Sequence, residues 1–118
     1  MDTIYSYTRR QALDDGVLVD VTELAQEAGF VFPMAVTRTL WNDYIEPTES
    51  QQAAGQSADG RLWDILFMLR WELRTKETCT HETIFRVIVD GKIVPLKALC
   101  HPGDHMEAVL TIMLPDED

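Results

Sequence analysis

The dipeptide Asp90-Gly91 restricts the fold of this chain more than any other pair of residues. It lies in the middle of TIFRVIVDGKIVPLKAL, residues 83–99, where apolar side chains recur at every second position on both sides. Asp-Gly is a preferred pair for a two-residue type I′ turn, because both central residues take positive φ and the turn's twist matches that of the flanking strands. With residues 90 and 91 as the turn, Val89 faces Lys92 and the whole register follows. Val87 meets Val94, Phe85 meets Leu96, Thr83 meets Ala98 and His81 meets Cys100 on one face. Ile88 with Ile93, Arg86 with Pro95, Ile84 with Lys97 and Glu82 with Leu99 occupy the other. The first set is the more uniformly apolar and is expected to face the core.

The same register draws together the residues that bracket the hairpin. Cys79, His81 and Cys100 fall on the core face at its open end, and His105, beyond Pro102-Gly103-Asp104, could fold back as a fourth ligand. Tetrahedral zinc accepts such mixtures of Cys and His, yet this spacing matches no standard zinc knuckle or ribbon. Buried packing of the free thiols is the commoner outcome. A Cys-His nucleophile pair built from Cys100 with His81 or His101 lacks an identifiable orienting group and oxyanion hole. Phosphate loops, G-x-S-x-G and H-E-x-x-H are all missing from the chain. No cofactor is expected.

A third strand is read in EAVLTIML, residues 107–114, after the HPGDH turn, and the tail at 115–118 is polar. Preceding the hairpin, residues 61–74, RLWDILFMLRWELR, form the strongest helix. Leu62, Ile65, Leu66, Leu69 and Leu73 make one stripe, while Trp63, Phe67 and Trp71 make a second at a spacing of four. A helix apolar on two sides is usually central to its domain. The other reading of the aromatic stripe is a dimer interface or a groove for a protein partner, where Trp is enriched.

The N-terminal half is less explicit. Thr8 before RRQALDDG marks a short helix over about residues 8–15 with Gly16 as its stop. VLVDV, residues 17–21, is a short strand or an extended lead into a second helix ending near Gly29. Asp20 or Thr22 could cap that helix. Pro33 together with Met34, Val36, Leu40, Trp41, Tyr44 and Ile45 at intervals of three and four predicts a third helix over about residues 33–45. Residues 48–60 contain no large apolar side chain and read as a mobile connector within a single domain spanning 1–118.

Charge narrows the partners. Twenty acidic residues oppose ten basic ones, for a net charge of −10, and residues 1–60 hold ten of the acids but three of the bases. That surplus disfavours direct binding to phosphate backbones. Asp14, Asp15, Asp20, Glu23 and Glu27 form an acidic cluster that could imitate nucleic acid in the basic groove of a nuclease; a solvated helix face is the commoner explanation. Arg9, Arg10 and Arg38 are expected to pair with carboxylates among Asp14, Asp15 and Asp20. With no apolar run long enough to span a bilayer and no secretory pattern at the start, the expected location is the cytoplasm.

The words Y-S-Y-T-R, D-G-V-L-V-D-V and E-A-G-F followed by P and V-T-R, within residues 4–41, resemble the N-terminal half of a family of small uncharacterised bacterial proteins met among plasmid and phage genes. The resemblance implies a cytosolic accessory protein of a mobile element and brings no catalytic residues. The chain is therefore expected to be α+β: short N-terminal helices, one long helix, and a C-terminal three-stranded antiparallel sheet against which that helix packs. The expected function is a non-enzymatic interaction protein, with a protein partner or a second copy of the chain. The alternatives are an acidic inhibitor of a host defence nuclease, of anti-restriction or anti-CRISPR type, and a small Cys/His metal protein or enzyme.

Overall fold

The computed structural model describes residues 8–74 and 82–117 of the chain. It is α+β, with helices α1 (Arg9–Asp14), α2 (Thr22–Glu27), α3 (Arg38–Leu40), α4 (Glu49–Ala53) and α5 (Ala58–Arg74). Strands β1 (Leu18–Asp20), β2 (Met34–Thr37), β3 (Glu82–Val89), β4 (Lys92–Pro102) and β5 (Ala108–Met113) form one sheet in the order β1-β2-β5-β4-β3.

The hairpin follows the expected register throughout its described length, from Val89 opposite Lys92 to Glu82 opposite Leu99. Asp90 and Gly91 take φ of 51° and 76°, the two positive values that a type I′ turn requires. Phe85, Val87, Val94, Leu96 and Ala98 are buried on the core face. The expected three-stranded antiparallel sheet is too small. β2 inserts beside β5 in parallel, Met34 opposite Leu110 and Val36 opposite Ile112, and β1 adds antiparallel to β2.

The residues expected to begin a third helix thus begin as a strand. Met34, Ala35 and Val36 are all fully buried, and a strand covered on both faces shows a continuous apolar run in place of alternation. Helix starts only at Thr37, whose hydroxyl accepts from the Leu40 amide at 3.2 Å. It continues as a π-helical turn over Trp41–Ile45, closed by the Glu46 amide donating to the Trp41 carbonyl at 2.8 Å. Residues 48–60 also hold more order than their composition suggests. Thr48 and Gln51 form a capping box that starts α4, in which each side chain satisfies the other's backbone amide.

One face of the sheet carries the main core. Leu62, Ile65, Leu66 and Leu69 of α5 pack on Met34, Val36, Phe85, Val87, Leu96, Leu110 and Ile112, with Ala25 and Phe30 closing one side. Each such side chain contributes about 1.5–3 kcal/mol by leaving water. The opposite face is covered unevenly. Toward the β1 end, where α1 contacts β1 and lines a cleft with Thr111, Met113 and Glu117, Ala35, Val109, Thr111 and Met113 are buried. Over the β3–β4 hairpin the described residues leave Ile84, Ile88 and Ile93 exposed. No described helix is long and apolar enough to cross a membrane.

Candidate functional site

Helix α5 is built from good helix formers and begins where Ser57 accepts the Gly60 amide at 3.0 Å. Its leucines and Ile65 commit one side to the sheet. That leaves Trp63, Phe67 and Trp71 on an adjacent side, one turn apart, and the structure exposes them by 39%, 57% and 56%. Met68 is exposed beside them. The second stripe is therefore not a second core face: α2 borders it through Glu27 and Ala28 and leaves all three rings exposed. Phe67 and Trp71 together with Ala28, Arg70 and Arg74 line a groove of about 220 Å³ between α5 and α2.

What holds this ridge in place is a lock between α2 and α5. Arg70 Nη1 donates to the carbonyl of Ala28, the C-terminal cap residue of α2. The guanidinium lies so close to Gly29 that a Cβ there would stand 1.4 Å from Nη1. Gly29 also has φ of 101°, which L side chains rarely adopt. At the other end of α2, Asp20 Oδ1 accepts from the Thr22 amide at 2.9 Å and from its hydroxyl at 2.6 Å. Thr22 Oγ1 in turn accepts from the Met34 amide at 3.1 Å, tying the helix to β2.

The acidic cluster is divided among three elements. Asp14 lies 3.8 Å from Arg10 across one turn of α1, and Asp15 takes part in an interaction of its own. Asp20, Glu23 and Glu27 do come together, and Asp59 joins them around a depression of about 360 Å³ floored by Val19 and Trp41. Sequence spacing offered no sign of Asp59, because α5 brings it in from a distant part of the chain.

The metal candidates are not assembled by the described residues. Cys79 and His81 lie outside them. Cys100 is half-buried on β4 opposite Leu110 and packs against the core. His105 is exposed in the turn, with its amide donating to Glu107 Oε1 at 2.9 Å. Among the described residues no group of three or more His, Cys, Asp or Glu is placed to hold a metal ion.

A second concavity, of about 680 Å³, lies between α1 and the far face of the sheet. His101 Nε2 and Thr111 Oγ1 meet there at 2.8 Å, and Thr37 Oγ1 donates to Glu117 Oε1 at 3.1 Å. Buried Lys97 donates through Nζ to the Glu117 carbonyl, drawing the C-terminal turn over the cleft. Asp104 accepts the amides of Arg9 and Arg10, each at 2.9 Å. Those two backbone bonds, Arg10 first, hold its carboxyl below the usual carboxylate range. Buried Arg9 Nε and Nη2 have no hydrogen-bond partner. Most of this cleft's polar groups bond to one another, and Thr111, the hydroxyl nearest an imidazole, is itself buried. The cleft is a fastening between α1, the sheet and the tail.

The chain matches no curated protein and no solved structure. A family model does match it from end to end, over residues 1–118, and the chain belongs to that family, the family of unknown function DUF6573.

Proposed function

We propose that this is a non-enzymatic interaction protein that docks another protein on the exposed ridge of α5. The observation that carries the reading is the solvent exposure of Trp63, Phe67 and Trp71 in one row of a helix whose other side is locked into the core. Large aromatic side chains bury 150–250 Å² each when covered, so leaving three of them in water forgoes a large hydrophobic gain unless a partner collects it. Trp is among the residues that dominate binding energy at protein interfaces. The N-terminal words that resemble plasmid and phage proteins suggest an accessory of a mobile element as the biological setting.

The test is a photo-crosslinking side chain placed at position 67 in the full chain inside its own host, with the same group at exposed Asn42 as control. A discrete adduct at position 67 that is lost with Trp71→Ser supports the reading. The identified partner, once purified, should then bind the Trp71→Ala chain about thirty-fold more weakly, the equivalent of about 2 kcal/mol. Equal labelling from both positions, or an affinity indifferent to Trp71, rejects it.

A second reading is favoured by the meeting of Asp20, Glu23, Glu27 and Asp59 around one depression: the acidic side of the molecule occupies the basic groove of a nuclease. Inhibition of the nuclease that weakens steeply with added salt supports it. No binding at low salt removes it.

A further inference from the structure

We propose that two copies of this chain join edge to edge through β3, antiparallel about a twofold axis, so that their sheets run on as one. The proposal rests on the reading of the protein as an interaction protein and names one partner as a second copy.

Among the described residues β3 is the last strand of the sheet, eight residues long and paired to β4 without a bulge. Val89 and Lys92 close the two-residue turn, so Val89, Val87, Phe85 and Thr83 turn their backbone groups toward β4. By alternation Ile88, Arg86, Ile84 and Glu82 turn their N–H and C=O groups outward. Natural edge strands are usually blunted by proline, lysine, bulges or brevity, and β3 has none of these. Its outward residues carry Ile84 and Ile88 on the far face, and Ile88 and its neighbour Ile93 are 68% and 70% exposed. Backbone donors and acceptors beside exposed isoleucines are what an added strand uses.

Charge selects a second copy as that strand. Glu82 and Arg86 stand four residues apart on the same face of β3. In an antiparallel pair centred on Ile84, Glu82 lies opposite Arg86 of the second copy and Ile84 lies opposite Ile84. A pair centred on Phe85 places the same two charges diagonally, still within reach of long side chains. A pair centred on Arg86 would set two guanidinium groups face to face and is disfavoured. Glu82 also interacts within its own chain, and with about four lone-pair sites a carboxylate can serve both partners. Antiparallel pairing about a twofold axis uses up both edges, so the assembly closes at two.

The helix above the edge fits the same geometry. α5 packs over β3, and its Phe67 and Met68 share a groove of about 380 Å³ with Arg86, Val87, Ile88 and Ile93 of the hairpin. A strand added there brings its own α5 alongside and covers Met68 and Phe67 in the same step.

The test is the mass in solution of the full chain across a concentration series at 150 mM salt, where the repulsion between two chains of charge −10 is screened beyond about 8 Å. The expected species is a dimer of twice the 13.5 kDa chain mass. Arg86→Glu and Glu82→Arg should each weaken it at least ten-fold, and the double variant E82R/R86E should restore it. Ile84→Pro removes an outward N–H without touching the ladder to β4 and should give a monomer, with circular dichroism confirming that each variant remains folded. A wild-type chain that stays monomeric throughout overturns the proposal, as does a dimer indifferent to all three single variants. A dimer broken by Trp71→Ser but not by the β3 variants also overturns it while sustaining the ridge as the docking surface. A monomer that still forms the specific adduct at position 67 leaves the interaction reading standing without this partner.

Discussion

The two ends of the sheet are finished in opposite ways. At one end β1 is three residues long, α1 stands over its far face, and the ends of α1 and α2 are fastened by Thr8, Asp20 and Asp104. At the other end β3 is eight residues long, its outer backbone groups face away from the sheet, and exposed isoleucines flank it. A short, covered edge cannot recruit another strand. A long, apolar and regular one invites it, which is why proteins usually disguise such edges. Polar side chains fasten the closed end to the rest of the chain, while the far face of the open end leaves Ile84, Ile88 and Ile93 in solvent.

The largest effect should come from the closed end. Met34→Ala, in a strand buried on both faces, should cost about 2–5 kcal/mol in chemical unfolding, because the cavity adds to the lost transfer energy. If it costs no more than a surface substitution, β2 is not a packed interior strand. Gly29→Ala should follow at about 2 kcal/mol, since a methyl group at φ of 101° is strained and displaces Arg70 from the α2 carbonyl. The same variant should increase the mobility of Trp71, seen as lower fluorescence anisotropy.

Asp104 gives the comparison a pH dependence. Its carboxyl titrates below its ordinary value because it accepts the Arg10 and Arg9 amides in the folded state. A depressed carboxylate stabilises the fold above the unfolded value of 3.8, and that stabilisation is lost as pH falls through the lower folded one. The melting temperature of Asp104→Asn should therefore lie below wild type at pH 7, and the gap should shrink toward pH 2. A gap unchanged by acid would mean that the amide replaces the carboxylate fully. The smallest effect on stability belongs to the open end. Ile88→Ser should change the monomer's unfolding free energy by less than about 0.5 kcal/mol, because the side chain is already in solvent. A loss above 1 kcal/mol would show that Ile88 is covered in the free chain.

The candidate docking surface was half visible in the sequence. Trp63, Phe67 and Trp71 announce themselves by spacing, but spacing does not say whether a second apolar stripe faces core or water. That depends on whether α2 covers it, and α2 borders the stripe through Glu27 and Ala28 without burying it. Met68 gave no signal because it falls outside both stripes. Ile84, Ile88 and Ile93 were legible as the hairpin's other face, yet their exposure depends on α1 lying at the β1 end of the sheet and not over β3.

By itself the sequence determined the features whose energetics are local. Asp90-Gly91 set the turn and through it the hairpin register, Thr8 started α1, and the leucine stripe oriented α5, because each depends on residues a few positions apart. The tertiary structure alone decided that MAV at 34–36 is a strand. A short apolar run satisfies a helix or a buried strand equally, and the choice fell to β5, some 75 residues later in the chain, whose unpaired edge β2 satisfies in parallel. Pairing over that distance leaves no periodic mark in either segment. The expected three-stranded sheet therefore became five strands, and the same long-range pairing left β3 at the open end.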